Sequence, residues 1–328
     1  MTTFDVPVAG AGFEAALDLV HACTTPVFFV GTHKNSGKTT AFLRFARALR
    51  ERDVPLILCS LGRDGEARDQ LFGHEKPLVR VEPGWRFVTH GAALADVPCD
   101  LVAPLPAEVD GRTLGLFEAR ACGELELWGP PAASVLRRVL DACLGFPVGG
   151  RAPTLLVDGA LDRRAALHHG PAAMILCCKG GAFAGPAALS AHLDLRRRLF
   201  EAPRLVGPAP IVRVADGAVE LPEGHDAVLV DGPLTSTLAT DLLALGEPLR
   251  RIVISSPLHV FAEAATLSRL VDRLVVLDAP TWLGTAINPA GAGGAAPDPV
   301  ALLAGARAAL GTDHPVFDVL SDDPAHQT

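Results

Sequence analysis

The chain has 328 residues, a formal net charge of −8, and 49% hydrophobic against 20% charged residues. This length predicts one large α/β domain with an insertion, or two modest domains that share a core, and the apolar content excludes a disordered or coiled-coil protein. Acidic charge without a dense Lys/Arg cluster argues against nucleic acid as the main partner, and apolar runs far shorter than about 18 residues argue against a membrane span.

The first residues and the cysteines bear on where the protein works. Met1 to Asp5 carries no basic segment and is not expected to be a secretory signal. The seven cysteines show no C-x-x-C spacing, so we expect reduced thiols in the core. The histidines show no paired ligand spacing, which argues against a zinc site. Together these observations predict a cytoplasmic protein.

A strand, a Gly-rich turn and a helix follow one another early in the chain. Val27 to Val30 predicts a buried parallel strand, and Thr40 to Arg50 predicts an amphipathic helix. The turn between them reads GTHKNSGKT, with Gly37-Lys38-Thr39 at the start of the helix. This order is the context of a phosphate-binding loop, or P-loop. The alternative is a Gly-rich turn that binds nothing.

The loop supplies most of the predicted nucleotide site. Its backbone N–H groups can surround a β-phosphate, the Lys38 ammonium can neutralise the β and γ oxygens, and the Thr39 hydroxyl can bind Mg²⁺. We therefore expect ATP and Mg²⁺ as ligands, although GTP stays open because no guanine-reading N-K-x-D segment accompanies the loop. The predicted nucleotide contacts from this region are Gly31, Thr32, His33, Lys34, Asn35, Ser36, Gly37, Lys38, Thr39 and Thr40.

Val54 to Ser60 predicts a second buried strand, which is followed by the segment LGRDGE. Ligands of doubly wound sheets meet the loops at the carboxyl ends of the strands. Asp64 is therefore a candidate catalytic or Mg²⁺-linked acid, and Glu66 lies close to it in sequence. An ordinary surface turn explains this Asp-Gly pair equally well.

Residues 75–130 have a different pattern from the rest. They show short alternating runs and many turn signals but almost no helical period, which predicts a small β-rich insertion. The predicted P-loop domain is then formed by residues 1–74 and 131–328. The insertion is expected to carry specificity or a partner surface.

The second half of the predicted site lies after the insertion. Thr154 to Ala160 reads as a buried strand that ends in Asp158, a candidate catalytic acid that holds Mg²⁺ directly or through water. Asp162 and Arg163 are candidates of lower rank. Strands and helices then alternate to the end of the chain, which predicts a doubly wound, mostly parallel sheet. Asp231 repeats the strand-ending pattern of Asp158, and a plain turn explains it as well.

The loop spacing GTxxxxGKT resembles that of dethiobiotin synthetases and cobyrinic-acid amidotransferase ATPases. These belong to the SIMIBI class of P-loop NTPases, together with the nitrogenase iron protein and the septum-site ATPases. The resemblance implies a nucleotide at a dimer interface, and hence a homodimer. It also implies a loop lysine that reaches the other subunit's phosphates. His33 occupies that position here and Lys34 follows it, so a trans role for Lys34 and a simple charged loop residue both stay open.

Two later segments carry the same resemblance. The VDGA segment at Asp158 resembles the V-E-G-A segment of the synthetases, with Asp in place of Glu. The segment TAINP resembles the late-strand segment whose Asn reads the base in synthetase-like ATPases, which implies that role for Asn288. A plain Asn-Pro turn is the alternative.

A broader resemblance points to a different activity. The segments GTHKNSGKTT, SLGRDGE, EKP, LELWGP and VDGALDR, in this order, resemble the P-loop reactivase subunits encoded beside adenosylcobalamin-dependent lysine 5,6-aminomutase; INPAG and PVFDV resemble them more weakly. This implies ATP-dependent release of damaged cobalamin, with a cobalamin-dependent mutase or a partner reactivase subunit as the binding partner. We rank this hypothesis above an ATP-dependent carboxylate ligase of the synthetase or amidotransferase type.

Overall fold

The computed structural model describes residues 12–62, 79–94, 96–130, 132–159, 172–208, 212–215, 219–290 and 298–320. The helices of this part are α1 Phe13–Ala22, α2 Lys38–Glu51, α3 Ala133–Leu144, α4 Pro186–Phe200, α5 Ser236–Ala244, α6 Ala264–Leu270 and α7 Pro299–Leu310. The strands are β1 Val27–Gly31, β2 Leu56–Ser60, β3 Val79–Val81, β4 Arg86–Thr89, β5 Cys99–Val109, β6 Arg112–Ala119, β7 Gly123–Leu125, β8 Thr154–Asp158, β9 Ala173–Lys179, β10 Arg213–Val214, β11 Ala227–Val230, β12 Arg251–Ile254, β13 Leu274–Val276, β14 Thr281–Asn288 and β15 Val316–Asp318. None of these helices is both long enough and apolar enough to cross a lipid bilayer.

A nine-stranded sheet forms the centre of the molecule. Its order is β15-β14-β9-β1-β8-β2-β4-β6-β5, and every neighbouring pair is parallel except the two pairs that β6 makes. The α/β class with a large, mostly parallel sheet is therefore confirmed. Strands β8 and β9 flank β1 on opposite sides, so the carboxyl ends of these three strands lie side by side at the edge where sheets of this kind bind ligands.

Helices cover both faces of this sheet, and the alternation of side chains along β1 shows how. Phe29 packs into a core with α1 and α2, whereas Phe28 and Val30 pack into a second core with α3, α4 and α7. Phe42 and Phe45 of α2 are fully buried, with ring centroids 5.6 and 5.4 Å from that of Phe29. Burial of each such ring stabilises the fold by about 1.5–3 kcal/mol. These contacts fix where α2 begins relative to the end of β1.

The described part of the predicted β-rich stretch contains β3 to β7. Three of these strands extend the central sheet, because β4 pairs with β2 in parallel and β6 and β5 follow it in antiparallel order. Without β4, the backbone groups along that edge of β2 would have no strand to pair with. β3 and β7 form a separate two-stranded sheet. The domain division at residues 75 and 130 stays a prediction, but much of this stretch shares the central sheet.

A second parallel sheet lies between β9 and β14 in the chain. Its order is β10-β11-β12-β13, and it has its own hydrophobic core with α5 and α6. We expected one parallel sheet to continue to the end of the chain, whereas the described residues form two sheets with parallel strands, the nine-stranded and the four-stranded one. Helix α4 joins them, because Leu189 and Leu193 pack into the central core whereas Leu195 and Leu199 pack into the smaller one.

His314 makes the stability of the fold depend on pH. Its Nε2 lies 2.9 Å from Thr285 Oγ1, and burial lowers its pKa to about 4. The unfolded chain, with a histidine pKa of about 6.5, binds this proton more strongly, so acid favours unfolding. We expect the free energy of unfolding to fall by up to about 3 kcal/mol from this group as the pH drops from 6.5 to 4.

Urea unfolding of the wild type and His314→Gln across this pH range measures the contribution. The variant is expected to lose stability less steeply than the wild type, because glutamine does not titrate. His21→Gln, on an exposed position of α1, is the control for a histidine replacement outside the core. Equal pH dependence in the wild type and His314→Gln would contradict the prediction.

Candidate functional site

The loop between β1 and α2 turns back over the end of β1. Asn35 and Gly37 have φ values of +58° and +84°, in the left-handed region, and α2 starts directly after Gly37. A Cβ atom at Gly37 would lie 3.2 Å from Val319 Cγ1 and 3.3 Å from Asn288 Cβ. Both the dihedral angle and this close approach require glycine at position 37. The first N–H groups of α2 are therefore presented at the inner side of the loop.

Lys38 extends back across the start of the loop. A Cβ atom on Gly31 would lie 3.1 Å from Lys38 Cδ and still closer to Ser36 Oγ. Glycine at position 31 therefore leaves the space that these two side chains use. Ser36 is fully buried, and its hydroxyl has no hydrogen-bond partner among the described residues. The usual P-loop glycine would be residue 32, and the structure explains why this chain needs one at residue 31.

Thr39 connects the loop to the neighbouring strand. Its hydroxyl donates a hydrogen bond of 2.7 Å to Asp158 Oδ2. Asp158 is 4% exposed and ends β8, where it is in register with Phe29 of β1. Hydrogen bonds to an ionised carboxylate are about twice as strong as neutral ones. The hydroxyl and the carboxylate are oxygen ligands of the type that Mg²⁺ prefers.

Asn288 supports the loop from the end of β14. Its Nδ2 donates a hydrogen bond of 3.2 Å to the Asn35 carbonyl oxygen, and its Oδ1 accepts one of 3.1 Å from the Ala290 N–H. The sequence predicts Asn288 and the loop in the same site, and in the structure the Asn288 side chain contacts the loop. The bond to Asn35 uses one of the two N–H groups of the Asn288 amide. The predicted contact of Asn288 with a base stays a prediction.

The other predicted loop residues either contact neighbouring parts of the chain or are exposed. Thr32 N–H donates a 2.9 Å hydrogen bond to the Cys177 carbonyl oxygen, and the His33 ring lies edge-on to Phe183 at 5.3 Å. Lys34 and Thr40 are exposed. His33 thus packs against its own chain, and the trans role of Lys34 stays a prediction.

Four predicted acids or bases lie outside the described residues: Asp64, Glu66, Asp162 and Arg163. Asp231 lies elsewhere in the molecule, directly after β11 in the smaller sheet, where its carboxylate is 3.5 Å from the Arg213 guanidinium. The described part of the chain contains no cluster of three or more His, Cys, Asp or Glu side chains suited to a metal ion. A magnesium ion here would therefore rely on Thr39 and Asp158 together with phosphate oxygens and water.

Cys177 lies beneath the loop as a neutral thiol. It is fully buried, and burial raises the pKa of its thiol, while the nearby Lys38 charge opposes this only in part. A thiol with a raised pKa is a poor nucleophile. Cysteine-based covalent chemistry next to Lys38 is therefore not supported.

Sequence reasoning missed two residues that shape the site. Val319, just after β15, packs against Gly37, and Gly129 packs against the backbone at the end of β2. Gly129 lies in the segment LELWGP and Val319 in PVFDV, both of which carry the resemblance to reactivase subunits, but neither segment by itself predicts a contact with Gly37 or with the end of β2.

No protein-family model, curated protein or solved structure matches the chain significantly. The contacts around the loop therefore carry the functional reasoning.

Proposed function

We propose that this protein is a P-loop ATPase that binds Mg-ATP and uses its hydrolysis to change the conformation or cofactor state of a partner protein. The observation that carries this proposal is the 2.7 Å hydrogen bond between Thr39 and Asp158, which joins a loop of P-loop sequence to an acid on the adjacent parallel strand. The pairing brings together two oxygen groups of the type that Mg²⁺ prefers, directly beside the loop.

Phosphate binding follows from the start of α2. The first N–H groups of a helix lack intrahelical partners and carry partial positive charge, so they favour an anion. The Lys38 side chain, which crosses Gly31, adds a full positive charge at the same place. A triphosphate would therefore meet backbone donors and a lysine ammonium together.

Metal binding follows from Thr39 and Asp158. These residues would hold Mg²⁺, Thr39 through its hydroxyl and Asp158 directly or through a water. When bound, the ion neutralises phosphate charge as the γ-phosphoryl group leaves. Asp158 would act in this task as a carboxylate, and its Oδ2 accepts the hydrogen bond from the Thr39 hydroxyl.

The proposed use of the energy of ATP hydrolysis rests on the motif resemblance. A reactivase-like protein would couple ATP turnover to release of damaged cobalamin from an adenosylcobalamin-dependent aminomutase, as a cytoplasmic homodimer or with a second reactivase subunit. An ATP-dependent carboxylate ligase is the second candidate, because GTxxxxGKT is the loop spacing of dethiobiotin synthetases. In a ligase the phosphoryl group would pass to a carboxylate rather than to water.

Asp158→Asn tests the metal part of the site. We expect the variant to lose Mg²⁺-dependent tightening of ATP binding, and its ATP turnover to fall by about 100-fold, because the amide cannot supply the negative charge. Calorimetric titration with ATP, with and without Mg²⁺, measures the first effect. Asp231→Asn is the matched control, since each of the two residues lies in a Val-Asp-Gly segment and Asp231 follows a strand of the other sheet. Equal Mg²⁺ dependence in both variants would refute the site.

ATP turnover with candidate partners separates the two functions. The purified chain is assayed for ADP release alone, with small carboxylates plus bicarbonate or glutamine, and with an inactivated adenosylcobalamin-dependent aminomutase. Stimulation by the mutase is expected. ADP release that depends on a carboxylate would contradict the reactivase-like function and support the ligase. Parallel titrations with GTP establish which nucleotide the site prefers.

A further inference from the structure

A cavity of about 320 Å³ lies at the boundary between the central sheet and the smaller sheet. Its lining includes the rings of Phe200, Trp282 and His314 and the charged side chains of Arg197, Arg204 and Glu201. Thr281 and Trp282 begin β14, whereas Asn288 ends it beside the loop. At about 3.3 Å per residue, the two ends of this strand are about 23 Å apart. The cavity is therefore separate from the proposed nucleotide site.

Aromatic rings form one wall of the cavity. The Trp282 ring lies 5.1 Å from Phe200 and 4.8 Å from His314, measured between ring centroids. Trp282 Nε1 donates to the Gly284 carbonyl oxygen, and His314 Nε2 pairs with Thr285 Oγ1. Because these polar atoms are bonded within the protein, the rings offer mainly apolar surface to a ligand.

Two arginines line the cavity, and they differ in how they are bonded. Arg197 bonds to the Ala309 carbonyl oxygen and to the carboxylates of Asp194 and Glu201, so its charge is compensated locally. Among the residues that the structure describes, Arg204 makes one hydrogen bond, of 3.1 Å to the Ala279 carbonyl oxygen, and a long ion-pair contact of 3.6 Å with Asp278.

The Arg204 side chain is 64% exposed. A guanidinium has five N–H donors arranged to match a carboxylate. Arg204 therefore keeps more donors for an anion than Arg197, and its charge is compensated by one long contact with Asp278 rather than by two short ones.

We propose that this cavity binds a small aromatic carboxylate, with its ring against Trp282 and Phe200 and its carboxylate on Arg204. The volume is at the lower end of the range for ligand pockets, about 300–1,000 Å³, and suits a ligand with a single ring. The site does not depend on ATP binding, so its test contains no nucleotide and its outcome is independent of the function proposed above.

Benzoate is the probe, and tryptophan emission together with calorimetry is the readout. The chain has three tryptophans and no tyrosine, and Trp85 and Trp128 are only 2% and 6% exposed. Emission changes on excitation at the red edge of tryptophan absorption therefore report mainly on Trp282. We expect saturable binding with a dissociation constant of about 1 mM or below. Benzyl alcohol, which lacks the charge, and cyclohexanecarboxylate, which lacks the aromatic ring, are each expected to bind more weakly.

Arg204→Met is expected to weaken benzoate binding at least about 10-fold, because it removes the charged guanidinium and keeps an unbranched apolar side chain of similar length to the aliphatic part of arginine. Arg213→Met is a closely matched control, since Arg213 is 65% exposed and makes a comparable 3.5 Å ion pair with Asp231 in the same small sheet. No saturable benzoate binding, equal loss in both variants, or equally tight binding of either comparison compound would overturn the proposal.

Discussion

Lys38→Ala is expected to raise the dissociation constant for Mg-ATP by about 100-fold or more. Removal of one partner of a desolvated charge pair costs several kcal/mol, and the Lys38 side chain lies against Gly31 at the start of the loop. Turnover should fall with binding, because the same ammonium stabilises the charge that develops on the transferred phosphoryl group. Calorimetric titration with Mg-ATP and an ADP-release assay measure the two effects.

Lys34→Ala is the control within the same loop. Lys34 is exposed, so its replacement removes an identical charge without opening space beneath the loop. ATP binding to the single chain is expected to stay within a few-fold of the wild type. If Lys38→Ala binds Mg-ATP as tightly as the wild type, the loop does not hold the phosphates and the proposed function fails.

Gly129→Ala is expected to destabilise the protein by about 3 kcal/mol or more. A Cβ atom there would overlap the Ser60 carbonyl oxygen and lie 2.5 Å from the Ser60 carbonyl carbon. Overpacking usually costs about 1–3 kcal/mol, and here the obstacle is backbone that cannot rotate away. Two backbone hydrogen bonds hold the two segments together. The Gly62 N–H donates to the Pro130 carbonyl oxygen at 3.1 Å, and the Gly62 carbonyl oxygen accepts from the Gly129 N–H at 3.3 Å.

The measurement is the midpoint of urea unfolding, with the slope of the transition checked for constancy. Gly91→Ala is the control, because a Cβ atom at Gly91 would meet nothing within 4 Å and its φ is not positive. The control should change stability by less than about 0.5 kcal/mol. A change that small in Gly129→Ala would show that the backbone contact with Ser60 is not maintained in solution.

The local part of the candidate site could be predicted from the sequence. The apolar run before Gly31 and the helical period after Thr39 indicate a strand, a turn and a helix, which the structure has as β1, the loop and α2. The apolar run that ends in Asp158 indicates a strand with an acid at its tip. That β8 lies directly beside β1 does not follow from either run, because the pairing of distant strands leaves no periodicity in the sequence.

The assignment of strands to the two sheets with parallel strands could not be predicted from the sequence, for a similar reason. The short runs around β4 and β6 are typical of a small β-rich unit, but edge pairing with β2 decides that they join the central sheet. The runs of β11 and β12 look like those of β8 and β9, yet they form a separate sheet. Which sheet a buried parallel strand joins is decided by packing, here through α4, rather than by its own residues.

The long-range hydrogen bonds that hold the loop and α2 have a consequence for the order of folding. Asn288 bonds to Asn35 across 253 residues of chain, and the Arg44 guanidinium bonds to the Asp318 carbonyl oxygen across 274. Contacts between such distant residues form late, because the intervening chain must first be brought together. During synthesis, β1 and α2 leave the ribosome long before β14 and β15. A nascent chain therefore carries the whole loop sequence well before it can form the contacts that hold the loop, and the proposed nucleotide would meet a complete loop only after β14 and β15 have joined the sheet.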